Sequence, residues 1–361
     1  IVGDGLTSLS LAKNLINKKI FVDVYQNRKY SKFTSNRTIG ISKNNLDFFI
    51  NEILKFSEKN TWEIKKIEIY LEKLKNDKVL NFTNASNNLF YMIKNDFLYK
   101  LLSNKLLKSK YFNKKIIKYD NFFQRLLSGK KYDLIINCNS NNFFSKKFFF
   151  KKINKDYNNI AYTAIFEHKK IVNKTAVQVF TKFGPIAYLP ISNTETSVVC
   201  SLEIRNKGFS NNKILDLIKN NNPKFEIKKI SKINSFNLKS SNLRNYHYKN
   251  ILAFGDALHR IHPLAGQGFN MTIRDIKSLS EIIQNRIDLG MNLDATILEE
   301  FEKKIKHKNF IFSTGIDFIY EFFNFEKKIK SKNLSKALKF FGKNEKLNNI
   351  FISLANKGLN I

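Results

Sequence analysis

The chain has 361 residues, and its 63 Lys and Arg against 30 Asp and Glu give a formal net charge of +33. Hydrophobic residues make up 43% of the sequence, which excludes a disordered polymer, and the length suits one large domain or two interlocked domains. The two cysteines, Cys138 and Cys200, exclude a disulfide framework and a four-thiolate zinc site and are typical of a reducing compartment. No run approaches the roughly 18–20 apolar residues of a membrane span.

The excess of positive charge has two interpretations. One is a polyanionic partner, either nucleic acid or an anionic membrane face. The other is A/T-rich codon usage, because Lys, Asn, Ile and Phe are all heavily used and the lysines are spread along the whole chain. We favour codon usage and predict no nucleic-acid partner, although the charge would still attract the protein to anionic lipid.

The chain begins as if inside a strand, with Ile1, Val2 and Gly3, and shows no charged-then-apolar leader. We expect that a few leading residues are missing. We predict a cytoplasmic location, with peripheral attachment at the inner face of the membrane as the alternative.

The predicted elements start with a β-α-β unit: a strand at Ile1 and Val2, apolar residues at helical spacing from Leu9 to Ile16, and a second strand at Ile20–Tyr25. Four of the later strands predict a mostly antiparallel sheet: Ile160–Glu167, Thr175–Phe180, Ile186–Leu189 and Thr196–Ile204. Further helices are predicted at Asp47–Phe56, Asn95–Leu107, Asn270–Ile287 and Leu298–Leu359. Further strands are predicted at Ile67–Leu71, Tyr132–Asn137, Ile160–Glu167, Thr175–Phe180, Ile186–Leu189, Thr196–Ile204 and Ile251–Phe254.

The first motif is Gly3-x-Gly5-x-x-Ser8, between the first strand and its helix. Glycines allow a tight turn there and let backbone N–H groups approach a pyrophosphate at the helix N-terminus. Ser8 replaces the usual third glycine but is still small. Gln26 stands where an acidic residue would bind a ribose hydroxyl. The motif alone therefore predicts nucleotide binding, with a purely structural β-α-β unit as the alternative.

The second motif covers residues 254–275. A buried strand ends at Gly255 and Asp256, and a loop with Pro263, Gly266 and Gly268 then enters a helix. Asp256 can accept hydrogen bonds from a polyol chain. The glycine turn can place backbone N–H groups against a ring that accumulates negative charge.

This block resembles the second FAD-binding motif of the class A flavoprotein monooxygenases, which have the para-hydroxybenzoate hydroxylase fold. Within that class it is most similar to the ubiquinone-biosynthesis hydroxylases, the UbiH/VisC group, whose signature resembles His-Pro-Leu-Ala-Gly-Gln-Gly-Phe-Asn at residues 262–270. Residues 36–42, 183–190 and 301–358 resemble other segments of that group in the same order.

The resemblance implies an α/β fold: a Rossmann-like FAD-binding domain, an interleaved and mostly antiparallel β-sheet substrate domain, and a helical C-terminal tail. The FAD-binding domain would comprise residues 1–66, 95–150 and 245–290. Residues 67–94 and 151–244 would form the substrate domain, and residues 291–361 the C-terminal helical region.

The resemblance also implies a set of FAD-binding residues. The pyrophosphate and adenosine end would lie against the first motif, and the isoalloxazine ring against the second. The implied residues are Gly3, Gly5 and Ser8 at the pyrophosphate, Gln26 near the adenine ribose, Arg37 near the ribityl chain and pyrophosphate, Asp256 on the ribityl chain, and Pro263, Ala265, Gly266, Gln267, Gly268 and Asn270 around the ring.

Several positions depart from the family pattern. A third fingerprint, an Asp-Gly pair with a nearby Ser and Arg, is replaced here by Asn139 and Ser140, and no arginine follows closely. Thr272 stands where the helix usually has glycine. Either FAD binding is retained with looser contacts or the chain is losing activity; we favour retention, because the loop at the flavin ring is the best preserved part.

The remaining residues that could carry chemistry are interpreted mainly as structural or positioning residues. His259 and His262 have the spacing of a metal pair, but no third ligand is near them in sequence, so we predict no metal. His262 is a candidate for positioning the loop or touching the substrate, and Tyr188 is a second candidate on the substrate side. The tail, with bulky apolar residues from Phe310 to Phe325 and lysines from Lys327 to Lys339, is either a helical cap or a face that lies on anionic lipid.

The resemblance therefore implies an FAD-dependent aromatic-ring hydroxylase that uses NAD(P)H and O₂ on a prenylated phenolic or quinone-type intermediate of ubiquinone biosynthesis. Two alternatives remain at this point. One is a catalytically weakened relative that serves as a scaffold among other quinone-biosynthesis proteins. The other is a basic membrane-binding or nucleic-acid-binding protein with an accidental β-α-β start.

Overall fold

The computed structural model describes residues 1–26, 37–72, 77–83, 88–117, 121–129, 131–203, 209–222, 225–262 and 267–328. Its helices are α1 Leu6–Asn17, α2 Lys43–Phe48, α3 Asn95–Leu107, α4 Phe122–Ser128, α5 Phe143–Lys147, α6 Asn211–Asn220, α7 Gln267–Asp288 and α8 Thr296–Lys328. Its strands are β1 Val22–Gln26, β2 Thr38–Ser42, β3 Trp62–Ile64, β4 Lys66–Leu71, β5 Asp77–Thr83, β6 Phe90–Lys94, β7 Phe112–Ile116, β8 Ile135–Asn137, β9 Lys152–His168, β10 Thr175–Phe180, β11 Pro185–Pro190, β12 Glu195–Glu203, β13 Ile227–Ile230, β14 Asn234–Leu243, β15 His247–Tyr248, β16 Ile251–Ala253 and β17 His259–Arg260.

A mostly parallel sheet forms the first layer. β7 pairs with β1, Val2 bridges β1 to β8, and β16 continues the sheet from β8, all in parallel, with β15 antiparallel on the outside. The apolar face of α1, including Leu9, Leu11 and Ala12, is fully buried in the core that covers this sheet. Because parallel strands end at one edge, Gly3, Cys138 and Gly255 lie along the same edge.

The second layer is a nine-stranded sheet in the order β17-β14-β9-β12-β11-β10-β4-β5, with β13 paired to β9. Every pairing in it is antiparallel except that of β4 with β10. A three-stranded sheet in the order β2-β6-β3 completes the set. The predicted α/β class with a mostly antiparallel second sheet is confirmed.

Several elements differ from their predicted bounds. The predicted helix at Asp47–Phe56 is instead α2 followed by a π-helical turn at Phe49–Ile53, after which Leu54 is extended. β9 begins at Lys152, well before the predicted start at Ile160. Its first half is rich in Lys and Asn and largely exposed, so it lacks the apolar alternation that indicates a strand. The sequence patterns did not predict the helices α4, α5 and α6 or the strands β2, β3, β5, β6, β7, β13, β14, β15 and β17.

The division of the chain into three regions stays a prediction. β4 and β5 join the nine-stranded sheet, whereas β6 pairs with β2 and β3. In the tail, α8 ends at Lys328, and the predicted helix beyond it lies outside the described residues. Among the helices that are described, none combines the length and apolar character needed to cross a membrane.

Candidate functional site

Gly3 makes the tight turn at the end of the first strand. Its φ of +118° is a conformation that side chains disfavour, and its N–H donates to the carbonyl of Tyr25 at 2.8 Å. A Cβ at this position would lie 3.2 Å from Ser8 Oγ and 3.4 Å from Cys138 Cβ. Ser8 is buried directly beneath Gly3, so the small side chain that replaces the third glycine supports close packing of α1 on the sheet.

Gly5 caps α1 without a side-chain hydrogen bond, and its backbone is extended with φ −74°. A Cβ added there meets nothing within 4 Å, so open space lies in front of the helix. The first N–H groups of a helix have no partner within the helix and carry partial positive charge. This opening therefore fits a pyrophosphate.

The second motif reaches the same edge through β16. Gly255 follows this strand with φ +60°, and a Cβ there would lie 2.5 Å from Cγ2 of Thr7 in the first turn of α1. Asp256, in the short 3₁₀ turn Gly255–Ala257, is exposed at this edge. The two glycine motifs are thus in contact, and a carboxylate stands beside the open helix end.

The degraded third fingerprint contains a network of small polar side chains. The buried Asn137 donates to Ser145 Oγ at 2.9 Å and accepts from Asn142 Nδ2 at 2.7 Å. Arg260 on β17 donates to Ser140 Oγ at 3.4 Å. An arginine therefore does reach this segment, although no local sequence signal could show it because it comes from a distant strand.

Gln26 and Arg37 lie on either side of residues that the structure does not describe. Gln26 ends β1 at the edge that carries Gly3, and its backbone carbonyl accepts from Ile117 at 3.0 Å. The side chain of Arg37 is exposed, with its guanidinium carbon 5.6 Å from the ring centroid of Phe236 on β14. Arg37, just before β2, thus lies where the three-stranded sheet meets the nine-stranded sheet.

The start of α7 is a second open helix end. Gly268 is exposed, and a Cβ there meets nothing within 4 Å. Gln267 Oε1 is buried and has no hydrogen-bond partner within the described part of the chain. Pro263, Ala265 and Gly266, which were expected to line the ring, lie outside the described residues.

The side chain of Asn270 is bound to protein groups. Its Oδ1 accepts from the backbone N–H of Ser42 and from Asn45 Nδ2, both at 2.9 Å, and its Nδ2 donates to the carbonyl of Gly40 at 2.8 Å. Both lone pairs of Oδ1 and one of the two hydrogens of Nδ2 are thus used, and the residue is only 1% exposed. We therefore propose that Asn270 positions α7 rather than contacting a cofactor.

The two candidates for the substrate side are both buried. Tyr188 donates to the carbonyl of Ile218 on α6 at 2.6 Å, which places it in the core between sheet and helix and outside the site described here. The ring of His262 packs edge-on against Tyr157, with centroids 4.6 Å apart. Burial lowers the pKa of His262 to about 3, so its imidazole is neutral near pH 7.

The buried surroundings of the two cysteines do not favour the thiolate form that a nucleophile requires. Burial raises the pKa of the Cys138 thiol to about 11 and that of Cys200 to about 12, so both are protonated at neutral pH. Over the described ranges, no group of three or more His, Cys, Asp or Glu side chains could hold a metal ion.

Comparison with known proteins agrees with this geometry. Residues 138–288, which include Asp256 and the start of α7, match the family model described as an FAD binding domain. Residues 138–288 are thus similar in sequence to an FAD binding domain. FAD is accordingly the cofactor that the matched domain identifies, and the open ends of α1 and α7, the exposed Asp256 and the glycine turns fit its pyrophosphate, polyol and ring.

The curated relatives that this chain resembles have names that refer to ubiquinone or ubiquinol. The chain is 31% identical to the mitochondrial ubiquinone biosynthesis monooxygenase COQ6 of Dictyostelium discoideum over 186 residues, which are 41% of this chain and 38% of that protein. It is 37% identical to the 3-demethoxyubiquinol 3-hydroxylase of Escherichia coli over 71 residues, 19% of this chain and 18% of that protein. The chain spans less than half the length of the curated relatives it matches.

Solved structures show the fold over a longer stretch. The p-nitrophenol 4-monooxygenase PnpA of Pseudomonas putida superimposes with a TM-score of 0.77 at 12% identity, covering 98% of this chain and 97% of that one. The tetrameric form of 2-methyl-3-hydroxypyridine-5-carboxylic acid oxygenase superimposes with a TM-score of 0.69 at 13% identity, covering 94% of both chains. At these identities the likeness concerns the fold alone.

Proposed function

We propose that the chain is an FAD-dependent hydroxylase of an aromatic ring that acts on a prenylated phenolic or quinone-type intermediate of ubiquinone biosynthesis, with NAD(P)H and O₂ as co-substrates. The observation that carries the proposal is the overlap of the matched FAD binding domain, residues 138–288, with the strand edge where Gly3, Cys138 and Gly255 meet. The substrate class rests on the names of the curated relatives.

We assign the holding of FAD to the two helix ends and the turns between them. Gly3, Gly5 and the first N–H groups of α1 would hold the pyrophosphate, Ser8 would support the turn, and Asp256 would accept hydrogen bonds from the ribityl chain. Gln267 and Gly268 would present backbone N–H groups to the ring. Bound FAD would pass electrons from NAD(P)H to O₂ and supply the oxygen-transfer chemistry.

The chain's own contribution is orientation and charge. The positive end of α7 would stabilise negative charge on the ring, since oriented backbone dipoles act strongly where water is excluded. The three-stranded sheet and the nine-stranded sheet are joined by Thr38 Oγ1, which donates to Ser197 Oγ at 2.9 Å, and by Arg37 over Phe236. A prenylated ring would bind beside this junction.

The test uses the full-length protein. We expect it to contain FAD as isolated, to oxidise NAD(P)H when a prenylated phenol is added, and to yield a product heavier by one oxygen atom. Tyr188→Phe, which removes only a hydroxyl inside the core, is the control and should keep all three properties. FAD binding without any oxygenated product from a panel of prenylated phenols would reject the substrate class.

The location and macromolecular contacts also remain proposals. The net charge of +33 supports peripheral contact with an anionic membrane. Contact with other quinone-biosynthesis proteins rests only on the pathway of the relatives. The non-catalytic scaffold gains no support from the fold or from the relatives.

A further inference from the structure

A buried trio of polar side chains lies behind the start of α7. His259 on β17 has its Nε2 2.5 Å from Oδ2 of Asp275 on α7. The other carboxylate oxygen, Oδ1, accepts from Nδ2 of Asn309 on α8 at 3.1 Å. The side chains of His259 and Asp275 are each only 2% exposed. We call these three residues the brace, because a single carboxylate connects three elements.

The brace joins the two chain segments that flank residues 263–266. His259 lies on the strand that leads to His262, and Asp275 lies in the helix that begins at Gln267. The strand itself is short, since β17 has only two residues and, among the described strands, pairs with β14. The side-chain bond to Asp275 therefore restrains this end together with the packing of Ile261 against Met271 of α7.

The opposite side of α7 is fixed by a different contact. Asn270 binds Gly40, Ser42 and Asn45 through its side chain, as described above. α7 is thus held from two sides within its first turns. The backbone N–H groups at its open end then have a direction that these tertiary contacts help to set.

Stability alone does not account for a buried pair of ionisable groups. Removing polar groups from water costs free energy, and a well-packed apolar pair of similar volume is often as stable. Hydrogen bonds are directional, however, and an apolar pair would hold the same elements together without fixing their relative orientation. A buried polar contact at this position therefore points to a requirement for orientation.

We propose that the brace aims the backbone at His262 and at Gln267 toward the flavin ring, so that His259 and Asp275 are positioning residues for FAD. This inference rests on the proposed function. It requires that a loss of the brace change how the ring is held even when the fold is kept.

The test compares apolar with polar replacements. His259→Leu/Asp275→Leu should still fold but lose some thermal stability, because Asn309 Nδ2 loses its buried acceptor. It should bind FAD about tenfold more weakly, and shift the visible absorption bands and reduction potential of the flavin that remains bound. Asp275→Asn keeps the shape and can still bond both neighbours, so it should stay close to the wild type. Rescue by this conservative variant separates orientation from charge.

A second histidine–carboxylate pair gives a matched control. His247 Nδ1 lies 3.0 Å from Oε2 of Glu302, between β15 and α8. His247→Leu/Glu302→Leu should leave the FAD dissociation constant and the flavin bands unchanged. Equal effects of the two double variants on FAD would overturn the proposal, because the effect would then be a general loss of stability.

The remaining outcomes are also distinct. One outcome is that the wild type and the His259→Leu/Asp275→Leu variant bind FAD with the same affinity, absorption bands and reduction potential. That result would overturn the positioning role of the brace and leave the proposed function intact. A wild type that binds no FAD would overturn both. Should the double variant fail to fold, His259→Phe is measured instead, because it keeps an aromatic ring but cannot bond Asp275; shifted flavin bands are expected, and unchanged bands contradict the proposal.

Discussion

Thr7 in the first turn of α1 packs against Gly255 after β16, so closely that a Cβ on Gly255 would lie 2.5 Å from Cγ2 of Thr7. This contact joins the two glycine motifs at the edge of the parallel sheet. A glycine is required at position 255 for two reasons. The φ of +60° disfavours a side chain, and the contact with Thr7 leaves no space for one.

We expect Gly255→Ala to lower the free energy of unfolding by about 2 kcal/mol or more, from backbone strain plus the clash. Thr7→Ala removes the methyl group that causes the clash and should recover about 1 kcal/mol of that loss in the double variant. Chemical denaturation of the wild type, both single variants and the double variant measures this coupling. Strictly additive effects would show that the contact is not the cause.

Substitutions at Gly5 should separate folding from FAD binding. The extended backbone at Gly5 accepts an alanine, and its Cβ would enter open space. We expect Gly5→Ala to unfold at the wild-type temperature but to bind FAD more weakly, because the methyl group occupies space in front of α1, and Gly5→Glu to bind weaker still through charge repulsion. Fluorescence titration with FAD measures both affinities. An affinity of Gly5→Glu equal to that of the wild type would show that the pyrophosphate does not bind in front of α1.

Asn270→Leu should be among the more destabilising changes in the chain. It leaves the carbonyl of Gly40, the N–H of Ser42 and the amide of Asn45 buried without their present partner. Such groups cost about 1–3 kcal/mol each, so we expect a loss of about 3 kcal/mol or more. Asn270→Asp keeps the acceptor for Ser42 and Asn45 and should lose less. Denaturant titration ranks the two variants; a larger loss for Asn270→Asp would contradict the assigned bonds.

His262 predicts a specific dependence of stability on pH. Burial lowers its pKa from 6.5 to about 3, so between these values the unfolded chain binds a proton that the folded chain does not. Stability should therefore fall as the pH falls below 6.5, by up to about 1.4 kcal/mol per pH unit. His262→Gln should lack this part of the slope. A difference in unfolding free energy between the two proteins that stays constant with pH would refute the buried neutral imidazole.

Much of the site followed from rules that depend only on chain order. Strand and helix patterns around Gly3 and Gly255 placed both glycines at the carboxyl ends of parallel strands, and such ends share an edge. The fold class was predicted from the resemblance of residues 254–275 to the flavoprotein monooxygenases, beside the predicted β-α-β start and antiparallel strands. The assignment of individual residues to parts of FAD stays a prediction.

Contacts made through tertiary packing were not predictable. The spacing of His259 and His262 suggested a metal pair, whereas the partner of His259 is Asp275 on another element. Asn270 reads as part of a cofactor motif but turns inward to β2. Arg260 reaches Ser140 only because β17 pairs with β14 beside β9. The local sequence pattern does not indicate which tertiary partners these side chains contact.

The content of FAD in the purified full-length protein tests the central claim most directly. We predict about one FAD per chain, as expected for a single site of this class. The protein should show the absorption bands of oxidised flavin and release FAD on denaturation. A correctly folded protein that is colourless and also fails to bind added FAD would contradict the account.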